Sequence, residues 1–338
     1  MNNNFRNKIT YINYILSILI VCLHSDNVHM LSDTMKGSRL VYYFENAITT
    51  FARIAVPCFF VISAYLFYKS FDMSKLYSKY KSRFKSLFIP YIIWSGAAFA
   101  YIAILSNVSF FSSKMNMGRI ELTLSNILKS ILLSEYAPLW FVRNLMILVL
   151  IAPIIYYIIK RKMLTKIIVI LFIAINLLFK TDYYAVIYWV PLYLTGAYLG
   201  HYYSKKIEEE AVFSRKSKVI SAILFSIVFI FAYLYENATT MYIFRLVVPF
   251  TLWVLIDSIS FDKKPKWWME ISFFIYCTHF VIISSLQKIM LLVLGKSTLA
   301  FLITYLITPI IVILIITFAA YIMKRYIPSV WKFTTGGR

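Results

Sequence analysis

Acidic residues are the scarcest class that matters: only 14 of 338 residues are Asp or Glu, and charged residues of both signs together reach 14%. A soluble domain carries roughly a quarter of its residues as charges, so this chain could not cover a water-facing surface. Glycine (8) and proline (9) are also few, which leaves long apolar runs without breaks. The three cysteines, Cys22, Cys58 and Cys277, lie inside apolar segments with no paired or CxxC spacing. That excludes a disulfide framework and a metal cluster, so the thiols read as buried and inert, and no metal ligand is assigned. Internal repeats and low-complexity linkers are lacking too, so residues 1–338 form a single domain. Arg6 and Lys8 precede the first apolar segment, but no A-x-A-like cleavage pattern follows, and the segment is expected to remain as a first span.

What the chain has in quantity is apolar surface: 61% of residues and a mean hydropathy of +0.75. Apolar runs of roughly 20 residues recur, the length a helix needs to cross about 30 Å of hydrocarbon. Membrane β-strands would alternate instead. The sequence therefore predicts an all-α polytopic transmembrane bundle of about ten spans, near 9–27, 46–68, 86–106, 138–159, 164–180, 183–203, 218–235, 239–257, 270–292 and 298–323.

The net charge of +21 does not point to nucleic acid, because the basic residues are not gathered with aromatics on one soluble face. They lie between the apolar runs and alternate from loop to loop. One set of loops holds 24 of the 35 basic residues, including Lys69 to Lys85, Lys160 to Lys166, Lys205 to Lys218 and Lys263 to Lys266. The other holds seven: Lys36, Arg39, Lys114, Arg119, Lys129, Lys180 and Lys296. By the positive-inside rule the first side and both termini are cytoplasmic, and the charge suits anionic membrane lipid or an anionic cofactor there. Trp140, Trp189, Trp267 and Trp268 stand at span ends, the position of interface anchors. The longest outer loop, 107–137, either partly covers an external substrate or is a connector.

The remaining four cations, Arg53, Arg143, Arg245 and Lys288, fall within spans, where each costs at least roughly 2.5 kcal/mol at the bilayer centre. Lys288 lies near a span end and can snorkel. The three arginines sit at similar depth near the outer ends of their spans, with no mid-span acid to pair them. They suit an anionic or polar ligand, or else cap helix carbonyls. Of the four histidines, His24 closes the first span beside Ser25 and Asp26, where a neutral imidazole can take a hydroxyl proton. His279 lies mid-span, as a site residue or a packing one. His29 and His201 read as surface residues.

Five segments resemble the acyltransferase 3 family of bacterial integral-membrane acyltransferases. Tyr11 to Ser25 is similar to that family's opening helix, which closes on a histidine; Arg53-Ile54-Ala55-Val56-Pro57-Cys58-Phe59-Phe60-Val61-Ile62-Ser63-Ala64-Tyr65-Leu66 resembles its R-x-x-x-P-x-F-F-x-x-S-G-Y-L stretch. Arg83 to Tyr91 looks like its basic segment leading to a proline, Leu139-Trp140-Phe141-Val142-Arg143 like its L-W-F element, and Ser272 to His279 like its S-x-x-I-Y-x-x-H. Two positions depart: Asn13 stands where the family commonly has an arginine, and Ala64 where it has a glycine.

The resemblance implies a stand-alone membrane enzyme of the cell's inner membrane, with acyl-CoA, usually acetyl-CoA, as donor substrate from the cytoplasm and no bound cofactor. The acceptor would be a hydroxyl of an extracytoplasmic or lipid-linked cell-surface glycan. His24 would act as base, with Arg53 and Arg143 holding the donor and stabilising the oxyanion, and Arg53 standing in for the charge missing at Asn13. Ser25, Asp26, Ser63, Trp140, Arg245, Tyr276 and His279 would complete the binding site. A transporter or flippase of a glycan intermediate would use the same arginines without chemistry, but would be expected to show inverted repeats and Gly/Pro-broken helices, which the sequence does not show. A glycan polymerase would be expected to carry a long arginine-bearing outer loop, and loop 107–137 has only Arg119.

Overall fold

A computed structural model describes residues 3–27, 39–108, 120–209, 211–295 and 297–337, and all regular structure among them is helical. The helices are α1 (Asn3–His24), α2 (Arg39–Ala52), α3 (Ala55–Tyr68), α4 (Leu76–Arg83), α5 (Ile89–Asn107), α6 (Leu124–Leu133), α7 (Trp140–Leu150) and α8 (Ala152–Ile159). They continue with α9 (Lys162–Phe179), α10 (Val186–Ile207), α11 (Arg215–Leu234), α12 (Ala238–Leu255), α13 (Ser272–Leu294), α14 (Thr298–Tyr326) and α15 (Pro328–Thr335). Among the described residues eight spans are long and apolar enough to cross a membrane, or nine if the bent pair α7 and α8 counts as one. The chain is a multi-pass membrane protein. The further span expected near 183–203 is α10, which is long enough but is diluted by Tyr188, Tyr193, Tyr198, Tyr202 and Tyr203.

Two spans are broken, contrary to the expectation of unbroken helices. Pro57 has no N–H and its ring clashes with the carbonyl four residues back, and the helix is interrupted at Arg53 and Ile54. Pro153 does the same at Ile151, where α7 and α8 meet at 67°. Ahead of Pro90 the chain widens into a π-turn over Phe84–Phe88, in which the Ile89 amide donates five residues back to Phe84. Such turns occur often at functional sites, and this one lies between Arg83 and α5.

Hydrogen bonds fix the two ends of the bundle. Helices α1 and α13 run parallel: Ser17 Oγ donates to the Ser272 carbonyl and Gln287 Nε2 to that of Ser25. At the starting end of α1, Asn4 meets Asp262, Asn7 meets the Phe261 carbonyl, and Lys8 Nζ donates to the Ile256 carbonyl at 3.1 Å. Tyr65, near the end of α3, donates to Glu208 beyond α10 at this same end. This is where the Lys-rich loops gather, and it is called the basic end below. Lys8, expected in a loop, is buried there over the Trp253 ring. The opposite, His24 end joins Asn27 to Glu45 and to the Phe301 carbonyl.

Helices in lipid gain little from apolar contact and associate through small residues that let backbones approach. Helices α3 and α10 do this: a Cβ at Gly196 would lie 2.5 Å from the Val61 carbonyl oxygen, and one at Gly200 2.5 Å from that of Tyr65. Beside this contact Phe60 stacks on Trp189 at 4.7 Å. Trp189 is 1% exposed and its Nε1 donates to the Tyr183 carbonyl, so it is a core residue and not the interface anchor expected of it. The expected loop 107–137 contains α6, tied to α5 by Tyr91 Oη on the Leu132 carbonyl. Ser109, Ser112, Asn116 and Gly118 of that loop lie outside the described residues, as does His29.

Candidate active site

The parallel course of α1 and α13 brings His24 and His279 together, ring centroids 5.2 Å apart, with Phe280 edge-on to His24 at 5.5 Å. His279 is fully buried, and its Nδ1 lies 2.8 Å from the Tyr276 carbonyl and 3.1 Å from that of Ile275. A carbonyl only accepts, so Nδ1 carries the proton in the neutral ring and Nε2 is the acceptor. That Nε2 is buried and has no hydrogen-bond partner among the described residues. An imidazole nitrogen held this way, in contact with a second imidazole, is suited to receive a hydroxyl proton. Ser25 and Asp26 support the pair from behind: Ser25 Oγ donates to the Val21 carbonyl, and Gln287 donates to the main-chain carbonyls of both residues.

A cavity of about 310 Å³ lies on the basic side of this pair. Its polar lining includes Asn13, Ser17, Ser63, Arg83, Glu270, Ser272 and Tyr276, set among apolar residues such as Phe59, Ile62, Leu66, Leu87 and Val142. Tyr276 is the bridge to the histidines. It lines the cavity, its hydroxyl donates to the Pro138 carbonyl at 2.5 Å, and its main-chain carbonyl holds His279 Nδ1. Arg83 rests over the Phe67 ring at 5.7 Å. Among the described residues no carboxylate is within ion-pair distance of it, although Glu270 shares the cavity.

The three span arginines do not converge on one ligand. Arg53, at the Pro57 break, pairs with Glu236 at 2.5 Å and touches Met241 Sδ. The expectation that no acid pairs with these arginines is therefore corrected at Arg53. A second acid the sequence reading missed is Glu45, buried within the span Leu40–Tyr68, where it accepts from the Asn27 amide. Arg143 donates to the Leu133 and Tyr184 carbonyls at 3.3 Å each, capping backbone with help from Asn144. Arg245 donates to Tyr188 Oη at 2.9 Å and lies over the Tyr183 ring. Trp140 packs on Tyr183, Tyr184 and Trp189, beside Arg143 and away from the 310 Å³ cavity.

Of the residues expected at the site, His24, His279, Tyr276 and Ser63 are thus assembled around one path, while Arg143, Trp140 and Arg245 surround the 182–185 turn and Arg53 stands apart. Arg83, Ser17 and Glu270 were not singled out for chemistry. Arg83 had been counted only as part of the basic bias, and Glu270 carries a signal in being one of few acids at a span end. The family model described as an acyltransferase domain matches residues 6–323. Neither a curated protein nor a solved structure matches the chain.

Proposed function

The chain belongs to the acyltransferase 3 family of membrane acyltransferases, and from that premise we propose that it is an O-acetyltransferase carrying an acetyl group from acetyl-CoA to a cell-surface glycan. The donor occupies the 310 Å³ cavity from the cytoplasm, and the acceptor, an extracytoplasmic or lipid-linked sugar, presents a hydroxyl at the His24 end of an inner-membrane protein. One observation carries this reading: Tyr276 lines the cavity and holds His279 Nδ1 with its carbonyl, so a donor site and a base share one residue.

In this reading the His24 and His279 pair takes the hydroxyl proton as the sugar oxygen bonds to the thioester carbonyl carbon. The carbon–sulfur bond then breaks, and the same proton passes to the departing thiolate. A positioned base of this kind contributes roughly 10²–10⁴-fold. Arg83 grips a donor phosphate or carbonyl through its planar fork, the part first expected of Arg53 and Arg143. It also supplies the cation that Asn13 lacks, since both line the same cavity.

The test has two arms. Purified protein in detergent is titrated with acetyl-CoA, and host surface glycans are weighed by mass spectrometry with and without the protein. The expected results are saturable binding and a gain of one acetyl mass per modified sugar. Binding or movement of a lipid-linked glycan with no acetyl-CoA binding would instead establish transport.

A further inference from the structure

A second cavity, of about 160 Å³, lies at the His24 end between the close of α9 and the start of α12. Asn176, Lys180, Tyr183, Tyr188, Tyr242 and Arg245 line it. Three features mark it as built for a ligand. Arg245 spends one donor on Tyr188 Oη and lies over Tyr183 at 5.1 Å, and no carboxylate among the described residues pairs with it. Asp182 shares the cavity, but its Oδ1 is engaged by the Tyr184 amide. Asn176 is 3% exposed; its Nδ2 donates to Tyr242 Oη at 2.9 Å, while its Oδ1 has no donor. Tyr242, accepting from Asn176, keeps its own hydroxyl hydrogen to donate.

We propose that this cavity binds one acidic sugar unit, a uronic-acid-like ring. Its carboxylate lies on Arg245 and Lys180 and a hydroxyl on Tyr242. The volume is below the roughly 300 Å³ at which drug-sized pockets begin, which suits a single ring. From Tyr188 the ring contacts run through Trp189, Phe60, Phe141 and Tyr276 to His279, each at 4.7–6.0 Å. The bound unit is therefore not the one acylated but a more distant unit of the same glycan, an assignment that rests on the acyltransferase reading above.

Saturation-transfer NMR on purified full-length protein, without acyl donor, tests the site with glucuronate, methyl glucoside and inorganic phosphate. Glucuronate should receive saturation and bind at least about tenfold tighter than the neutral glucoside, the value of one charge-assisted hydrogen bond. Arg245→Gln and Lys180→Gln should each remove that preference, and Lys180, at an exposed helix end, guards against a folding artefact. Equal binding of the two sugars, displacement of glucuronate by equimolar phosphate, or indifference to both substitutions would overturn the proposal. Acetyl-CoA binding to the same samples reports separately on the donor cavity, so failure of one site is distinguishable from failure of the other.

Discussion

The two cavities each hold an arginine, yet their walls suit different ligands. The larger one has about twice the volume, and Arg83 there leans on Phe67 with its donors free of any carboxylate among the described residues. The smaller one is lined by phenols and an amide, and Arg245 is already hydrogen-bonded to Tyr188. The larger volume, with an arginine free of any carboxylate partner among the described residues, suits a long thioester carrier with a charged end; the smaller, lined by phenols and an amide, suits a single hydroxylated ring. What keeps the two apart is the α3 and α10 contact with its stacked Phe60 and Trp189. The difference shows how a membrane protein handles polarity, and a lipid-facing helix shows it too by turning its polar groups inward. Helix α9 has a mean hydropathy of 2.2 with 11% of its window buried, and its buried residues are Thr165 and Asn176.

The largest expected effect falls at the histidines, which Tyr276 joins to the larger cavity. His279→Ala should lower acyl transfer by roughly 10²–10⁴-fold, the worth of a positioned base, while acetyl-CoA binding stays within a factor of about two, since a base on the acceptor side adds little to ground-state donor binding. His24→Ala should do the same, and His201→Ala, on the far side beside Tyr156 and Tyr202, should leave transfer intact. Unchanged turnover in both site variants would remove the histidine pair from the mechanism. Next in size is Arg83→Gln, which should weaken acetyl-CoA binding by roughly 10- to 100-fold, as loss of a charged hydrogen bond of about 1.5–3 kcal/mol requires. The same change should leave glucuronate binding untouched, and an equal loss at both cavities would show that they are not independent.

The dividing wall itself can be broken. Gly196→Ala places a methyl group against the Val61 backbone, which cannot turn aside as a side chain can. Overpacking of this kind costs roughly 1–3 kcal/mol. Thermal unfolding in detergent should begin several degrees lower, and both ligands should bind more weakly together. Ile170→Ala on the exposed face of α9 is the control, and it should shift neither. Equal stability of the two variants would mean that the close α3 and α10 approach is not what holds the wall.

Much of this arrangement was legible in the sequence and some was not, for identifiable reasons. The spans were readable because the bilayer sets their length, whereas the span expected near 183–203 forms a helix, α10, that its tyrosines keep from being apolar enough to count as one. The breaks at Pro57 and Pro153 were missed although both prolines were in view, because a hydropathy window averages across a kink. The histidine contact was out of reach: it depends on α1 and α13 running parallel, which no local pattern states. Arg83 was absorbed into the positive-inside count, where a cation that lines a cavity looks the same as one that faces water. Arg53 was misjudged in the opposite sense, since Glu236 lies in a loop and pairs with it only after α11 and α12 fold back.

That pair gives the smallest effect and the sharpest check on how the two cavities were assigned. Arg53 and Glu236 are joined at 2.5 Å, but their side chains keep 24% and 38% of their exposure, so water screens the bond. Pairs of this kind contribute roughly 0–1 kcal/mol. Arg53→Gln and Glu236→Gln should each lower stability by no more than about 1 kcal/mol, and the double variant should cost less than the sum, because each single change already removes the same bond. Acetyl-CoA binding should be the same in all three, since neither residue lines the 310 Å³ cavity. A tenfold loss of acetyl-CoA affinity in Arg53→Gln, with Glu236→Gln unaffected, would mean that the guanidinium leaves its partner to hold the donor. The donor would then reach the His24 end, and the division of labour between Arg83 and the outer arginines would have to be redrawn.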